Sequence, residues 1–135
     1  MITLHSIGVR VYYEDTDAAG VVYYANYLKF MERARTEWLR SLGVEQSALA
    51  EQHGVAFVVR SMVIDYLKAG RFDDELQVSV ELSAVGAGQI DLVQRVLRGE
   101  ELLATAAVKI ACVGLRTVRP TRIPQPLATR IRTRI

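Results

Sequence analysis

Cysteine is almost missing from this chain. A single Cys112 among 135 residues excludes a disulfide framework within one chain. Its neighbours Val108, Ile110, Ala111 and Val113 make it read as a small buried hydrophobe. Histidine is equally scarce. His5 and His53 are far apart, so one cysteine and two separated histidines form no zinc pattern, and no Ser-His-Asp spacing suggests a hydrolase triad. There is no glycine-rich phosphate loop and no dinucleotide fingerprint. No apolar stretch approaches membrane-spanning length, and the opening M-I-T-L-H-S lacks the basic region and apolar run of a signal peptide. A cytoplasmic protein with no membrane span and no bound metal is expected.

Acidic residues also run out. From Arg116 onward there are six arginines and no Asp or Glu, whereas residues 1–115 hold eleven basic and fifteen acidic side chains, a net charge of −4. The composition divides the chain into a mildly acidic body, 1–115, and an Arg-rich C-terminal extension, 116–135. Those arginines suit nucleic acid, an acidic carrier protein or the phosphates of CoA, and the plain alternative is a solvated, partly disordered extension. No aromatic residue interleaves with them, which argues against nucleic acid. Pro120, Pro124 and Pro126 break the extension up, and Pro126–Arg134 has room for one or two helical turns with Leu127 and Ile131 on one side.

What is present is a core. Half the residues are hydrophobic, and one domain of this length hides roughly two-thirds of its unfolded surface. Tyr27, Phe30, Met31, Ala34, Trp38, Leu39 and Leu42 recur at helical spacing, so a helix of sixteen to eighteen residues, roughly 25 Å long, is predicted from near Tyr23–Asn26 to a stop at Gly43. Lys29–Glu32 and Arg33–Glu37 are expected to pair across its outer face. A short second helical turn is predicted at Gln46–Glu51. Strands are predicted at Ser6–Tyr13, Phe57–Lys68, Leu76–Val85, Gln89–Leu97 and Glu101–Val113 from β-branched content and alternation. Tight turns join most of them, which implies antiparallel pairing and a two-layer α+β domain with the helix on one face.

The stretch with chemical character precedes the long helix. Asp15 and Asp17 sit in a turn closed by Gly20, a few residues before a helix N-terminus, where unpaired N–H groups stabilise developing negative charge. A carboxylate beside such an end is a plausible acyl-transfer site, although aspartates also simply cap turns. The alternative is a dyad in which the two carboxylates share a proton. Asp15 is expected to be structural, accepting turn or helix-end N–H groups.

The segment Tyr13-Glu14-Asp15-Thr16-Asp17-Ala18-Ala19-Gly20-Val21-Val22-Tyr23-Tyr24-Ala25-Asn26-Tyr27 resembles the signature of the 4-hydroxybenzoyl-CoA thioesterase family. Val9–Arg40 and Val55–Arg60 are most similar to the Tol-Pal-associated acyl-CoA thioesterases within it. The resemblance covers about residues 7 to 113. It implies the hotdog fold, an antiparallel five-stranded sheet wrapped around one long central helix. It also implies chains paired through their sheets with active sites at the seam, as a homodimer or homotetramer. The implied activity is hydrolysis of an acyl-CoA or acyl-carrier thioester to free acid and thiol, with CoA as part of the substrate and no cofactor.

Asp17 matches the catalytic carboxylate, as nucleophile or general base, and the backbone at Tyr24 or Ala25 matches the oxyanion-binding helix start. Thr16 and Tyr27 are expected to support the geometry. Relatives of the Tol-Pal type carry histidine where this chain has Tyr24, while 4-hydroxybenzoyl-type enzymes carry tyrosine, so Tyr24 is expected to donate a hydrogen bond rather than act as a base. Arg60, Ser61 and Lys68 lie on the strand expected near the seam, and Arg60 and Lys68 either meet CoA phosphates or are solvated. A different class is a non-catalytic module of the same fold, binding an acyl thioester or an acyl carrier protein. A hotdog hydratase ranks below both, because its usual Asp and His in a long loop are not seen.

Overall fold

The computed structural model describes residues 2–133. Five strands, β1 (Ile2–Arg10), β2 (Val55–Tyr66), β3 (Glu75–Val85), β4 (Gln89–Arg98) and β5 (Glu101–Gly114), form one antiparallel sheet in the order β1-β3-β4-β5-β2. Hairpins set the β3-β4-β5 centre, and the two earlier strands add at the edges. β1 pairs with β3, and β2 pairs with β5 through a register shift between Val59 and Ser61.

The helix α1 (Asn26–Ser41) lays its apolar stripe on this sheet. Tyr27, Phe30, Met31, Ala34, Trp38 and Leu39 are buried against Val78 and Val80 of β3, Leu92 and Val96 of β4 and Val108 of β5. The fold is the expected α+β arrangement of a five-stranded sheet around one long helix. α2 runs over Gln46–His53, longer than the predicted turn. Neither ion pair expected on α1 is among those of the described residues. Glu37 pairs with Arg40, Glu32 accepts from Thr36, and Arg33 lies over the Phe30 ring at 5.8 Å. Long flexible side chains on an exposed face gain only a few tenths of a kcal/mol from any one partner, so the choice is weakly determined.

The alternation in β4 carries one polar residue into the core. Ile90, Leu92, Gln94 and Val96 all face inward, and Gln94 is fully buried. Its Nε2 donates to the carbonyls of Met31 (3.0 Å) and Ser79 (3.3 Å), and its Oε1 accepts from Arg35 (2.9 Å). Burying an amide without partners costs several kcal/mol, and here every strong bond is made.

The C-terminal segment is not a solvated extension. Gln125–Arg132 forms α3, started by Pro126 in its first turn, and Ile123, Leu127, Ala128 and Ile131 are buried in the main hydrophobic cluster. Arg130 donates to the Leu42 carbonyl at 2.9 Å, at the C-terminal end of α1, where a cation is electrostatically favoured. Arg134, at the end of the predicted turns, lies outside the described residues.

A charged cluster ties the β4–β5 hairpin to the loop after β2. Arg98 bonds Asp74 (2.8 Å), Glu101 (2.5 Å) and the Ala69 carbonyl (3.2 Å), and Lys68 pairs with Glu101 at 2.9 Å. Partial burial pushes the Asp74 carboxyl up, but hydrogen bonds from Arg98 and the Arg71 N–H outweigh it and hold the group below its usual range. Hydrogen bonds from Arg98 and then Lys68 do the same for Glu101.

Two outcomes are expected. Ile131→Ala should cost about 2–5 kcal/mol in urea unfolding, as for a core isoleucine, whereas a solvated tail would change stability by less than about 0.5 kcal/mol. Carboxyls lowered in the folded state stabilise it above their unfolded pKa and lose that contribution as pH falls through the folded value. The wild-type melting temperature should therefore drop more steeply than that of Arg98→Met between about pH 6 and about pH 3, and parallel curves would remove Arg98 from this role.

Candidate active site

The residues after β1 do not continue the strand. The strand predicted to reach Tyr13 ends at Arg10, and Tyr13–Asp15 is a single 3-10 turn. Asp15 closes this turn and is buried, whereas Asp17, beyond the extended Thr16, is exposed. Asp15 is buried, with Oδ2 accepting from the Tyr12 N–H (2.9 Å) and Oδ1 from the Asn26 side-chain amide (2.9 Å). Its carbonyl accepts from the Tyr23 N–H at 2.8 Å. One residue thus fastens the turn to the first residue of α1.

Thr16 and Val22 bridge, and the chain reverses between them. The Asp17 N–H donates to the Val21 carbonyl (2.9 Å) and the Gly20 N–H to the Asp17 carbonyl (3.0 Å). Gly20 has φ +78°, a conformation that costs a residue with a Cβ and suits glycine. Asp17 is exposed on this tip. Its Oδ1 accepts from the Ala19 N–H (2.9 Å) and the Val21 N–H (3.4 Å), which fixes the carboxylate, and its Oδ2 accepts nothing among the described residues.

Past the hairpin comes the helix start. No side chain among the described residues caps α1. Asn26 N–H donates to Tyr23 (2.8 Å) and Leu28 N–H to Ala25 (3.2 Å), while the N–H groups of Tyr24 and Ala25 donate to no acceptor among the described residues. They are free at the positive end of a helix, a few residues from Asp17.

The loop after β2 closes the other side. Gly70 donates its N–H to the Tyr27 hydroxyl (2.9 Å), and its carbonyl accepts from the Val22 N–H (2.8 Å). A Cβ at Gly70 would lie 3.0 Å from Val22 and 3.2 Å from the Tyr27 hydroxyl, so a larger residue there would have to push these side chains aside by a few tenths of an ångström. The same loop meets the hairpin again through a bridge between Val21 and Arg71. Thr16 donates to the Tyr13 carbonyl at 2.9 Å and braces the turn.

Tyr24, Tyr27, Tyr66, Leu67 and Lys68 line a cavity of about 270 Å³ at the helix start. Tyr66 was not singled out by sequence reasoning, yet its hydroxyl donates to the Tyr24 carbonyl at 3.1 Å, and its ring lies 6.2 Å from that of Tyr24 and 5.6 Å from that of Tyr27. Its position, an aromatic at the end of a strand two residues before Lys68, was the available signal. Burial pushes the Tyr66 hydroxyl up, with the neighbouring Tyr24 and Tyr27 adding to it. Burial also raises Tyr27, partly offset by the Gly70 N–H.

Tyr24 and Lys68 line the cavity at the start of α1, Ala25 directly precedes the helix, and Asp17 sits on the hairpin before it, outside that lining. The structure does not bring Arg60 and Ser61 there in the same chain. They lie on β2, where Arg60 donates to Gln89 at 2.7 Å. Eight residues of extended chain, roughly 26 Å, separate Arg60 from Lys68, so one chain cannot place both on one phosphate. Among the described residues no group of three metal-ligating side chains occurs, and no helix is long and apolar enough to cross a membrane.

Comparison with known proteins agrees with this geometry. Residues 11–131 match the family model of the thioesterase-like superfamily. The acyl-CoA thioesterase YbgC of Haemophilus influenzae is 50% identical over 120 residues, covering 89% of this chain and 88% of that protein. The acyl-CoA thioester hydrolase YbgC of Escherichia coli is 43% identical over 126 residues, 93% of each chain. The crystal structure of a probable thioesterase from Bartonella henselae superposes with a TM-score of 0.86 at 37% identity, covering 91% of this chain and all of that one. The matched segment contains the hairpin, the helix and the loop that build the site, and the chain belongs to the thioesterase-like superfamily.

Proposed function

We propose that this protein is an acyl-CoA thioesterase, hydrolysing the thioester to free acid and thiol with Asp17 as its catalytic carboxylate. The observation that carries this reading is the free Oδ2 of an otherwise immobilised Asp17, close in the chain to two unpaired N–H groups at an uncapped helix end. The N–H groups of Tyr24 and Ala25 polarise the thioester carbonyl and stabilise the oxyanion. Water adds to the carbonyl carbon, Asp17 takes its proton, the C–S bond breaks, and the thiol leaves with a proton. Alternatively Oδ2 attacks directly and water cleaves the resulting anhydride. Oxygen from labelled water entering the protein on single turnover separates the two routes. Tyr24 donates a hydrogen bond to substrate, and Lys68, in the same cavity, is the cation available to the CoA moiety.

The working unit is a homodimer joined through β2. Among the described residues this strand pairs only with β5, so its other edge is open there, and Val59 and Val63 on it are exposed, Val63 to 68%. Long apolar edges of this kind recruit another strand. Two β2 strands related by a two-fold axis run antiparallel, which sets the Arg60–Ser61 region of one copy toward the Tyr66–Lys68 end of the other. Further pairing to a tetramer, and acyl carrier protein as an alternative thioester donor, belong to the same proposal. The single unpaired cysteine suits a reducing, cytoplasmic setting.

Asp17→Asn should lower thiol release from acyl-CoA by about 10²–10⁴-fold with an unchanged melting curve. Undiminished release would remove Asp17 from the chemistry, and no release from the wild type with any acyl-CoA would favour a binding module. Val63→Lys should convert the dimer to monomer in sedimentation, and an unaltered dimer would rule out the β2 seam.

A further inference from the structure

A second cavity lies under the C-terminal half of α1. It has a volume of about 180 Å³, with Trp38 and Leu39 on the helix side and Phe57, Val59, Ile90 and Ile110 on the sheet side. Among the described residues the one cation in its wall is Arg35. We propose that this cavity receives the acyl end of the thioester, and that Arg35 selects acyl groups that end in a carboxylate. The proposal rests on the thioesterase reading for its substrate, and on the antiparallel β2 seam for the route. The seam sets the Phe57–Val59 end of one chain beside the Tyr66 end of the other, so this cavity faces the second copy's helix start and not its own.

Arg35 is held rather than free. Gln94 spends its Nε2 hydrogens on the Met31 and Ser79 carbonyls, so its Oε1 is committed to Arg35 at 2.9 Å. A guanidinium carries five N–H donors. Gln94 takes one, and no carboxylate pairs with Arg35 among the described residues. Burial lowers its pKa, and Glu32 offsets this only in part. Arg35 is half-buried in the cavity wall, and its remaining donors suit a bidentate carboxylate. Glu32 also lines the cavity, but it is exposed and accepts from Thr36 (2.9 Å) rather than from Arg35.

Trp38 is the only tryptophan in the chain and forms part of the wall, so its fluorescence reports occupancy without any reaction. The full chain would be titrated with glutarate and with two neutral ligands of the same length, glutaramide and 1,5-pentanediol. Glutarate should bind at least tenfold tighter than the other two. Arg35→Met should cut its affinity at least tenfold, and Arg35→Lys should keep part of it should the Met variant unfold. The ratio of kcat/KM for glutaryl-CoA over pentanoyl-CoA should fall at least tenfold in Arg35→Met. Equal binding of the three ligands by the wild type, or a ratio indifferent to Arg35, overturns the proposal. Asp17→Asn separates it from the reading it rests on. Arg35-dependent glutarate binding with no thioester cleaved by the wild type leaves the site standing and removes the thioesterase, and cleavage without carboxylate preference does the reverse.

Discussion

The site depends on one buried carboxylate. Asp15 is 7% exposed, and a carboxylate taken from water persists only where its oxygens are well bonded. Tyr12 and Asn26 supply those bonds, one from the turn and one from the helix start, and the Asp15 carbonyl holds Tyr23 between them. Three points along the chain are thereby fixed by a single residue. The consequence for chemistry is subtractive. With both Asp15 oxygens consumed, Asp17 is the carboxylate left with an oxygen to offer.

A second constraint joins this corner to the sheet. The loop after β2 touches the hairpin at Val21 and Val22 and touches α1 at Tyr27, with Gly70 at the junction. Arg98 anchors the same loop through Asp74 and the Ala69 carbonyl. The tip carrying Asp17 is exposed, yet each segment that positions it is bonded to something rigid. Preorganised donors and carboxylates of this kind lower a barrier because little rearrangement remains at the moment of reaction. Lys68 shares Glu101 with Arg98, so in the proposed complex a CoA phosphate competes with a carboxylate for it.

Most of the architecture was legible as periodicity. The stripe from Tyr27 to Leu39 located α1, and alternation located the three hairpin strands within a residue or two. Asp15 as a structural acceptor was legible too, because an Asx residue before a helix has few other uses. What failed was what periodicity does not encode. Tyr12 and Tyr13 look like strand residues, but the 3-10 turn that Asp15 stabilises overrides their propensity. The C-terminal arginines masked a short amphipathic helix whose apolar residues, Leu127, Ala128 and Ile131, complete the core. Tyr66 went unnoticed because its partners are 39 and 42 residues away along the chain, and Arg60 and Lys68 looked equivalent although the strand holds them far apart. Gln94 interrupts an apolar alternation, and only the helix above it reveals the carbonyl and guanidinium that it serves.

The tyrosines around the helix start decide which group can do the work. Tyr23 is raised by its hydrogen bond and proximity to Tyr24, and Tyr27 and Tyr66 are raised chiefly by burial. All three are neutral at physiological pH and offer hydroxyl donors rather than bases. Tyr24 occupies the position where a histidine would supply one, so the site has no imidazole to exchange a proton near neutral pH. His5 lies on β1 and His53 at the end of α2, on other elements. In the proposed mechanism proton removal therefore falls to the Asp17 carboxylate or is avoided by direct attack of its oxygen. Either way that mechanism leaves the oxyanion to the unpaired N–H groups of Tyr24 and Ala25, just before α1.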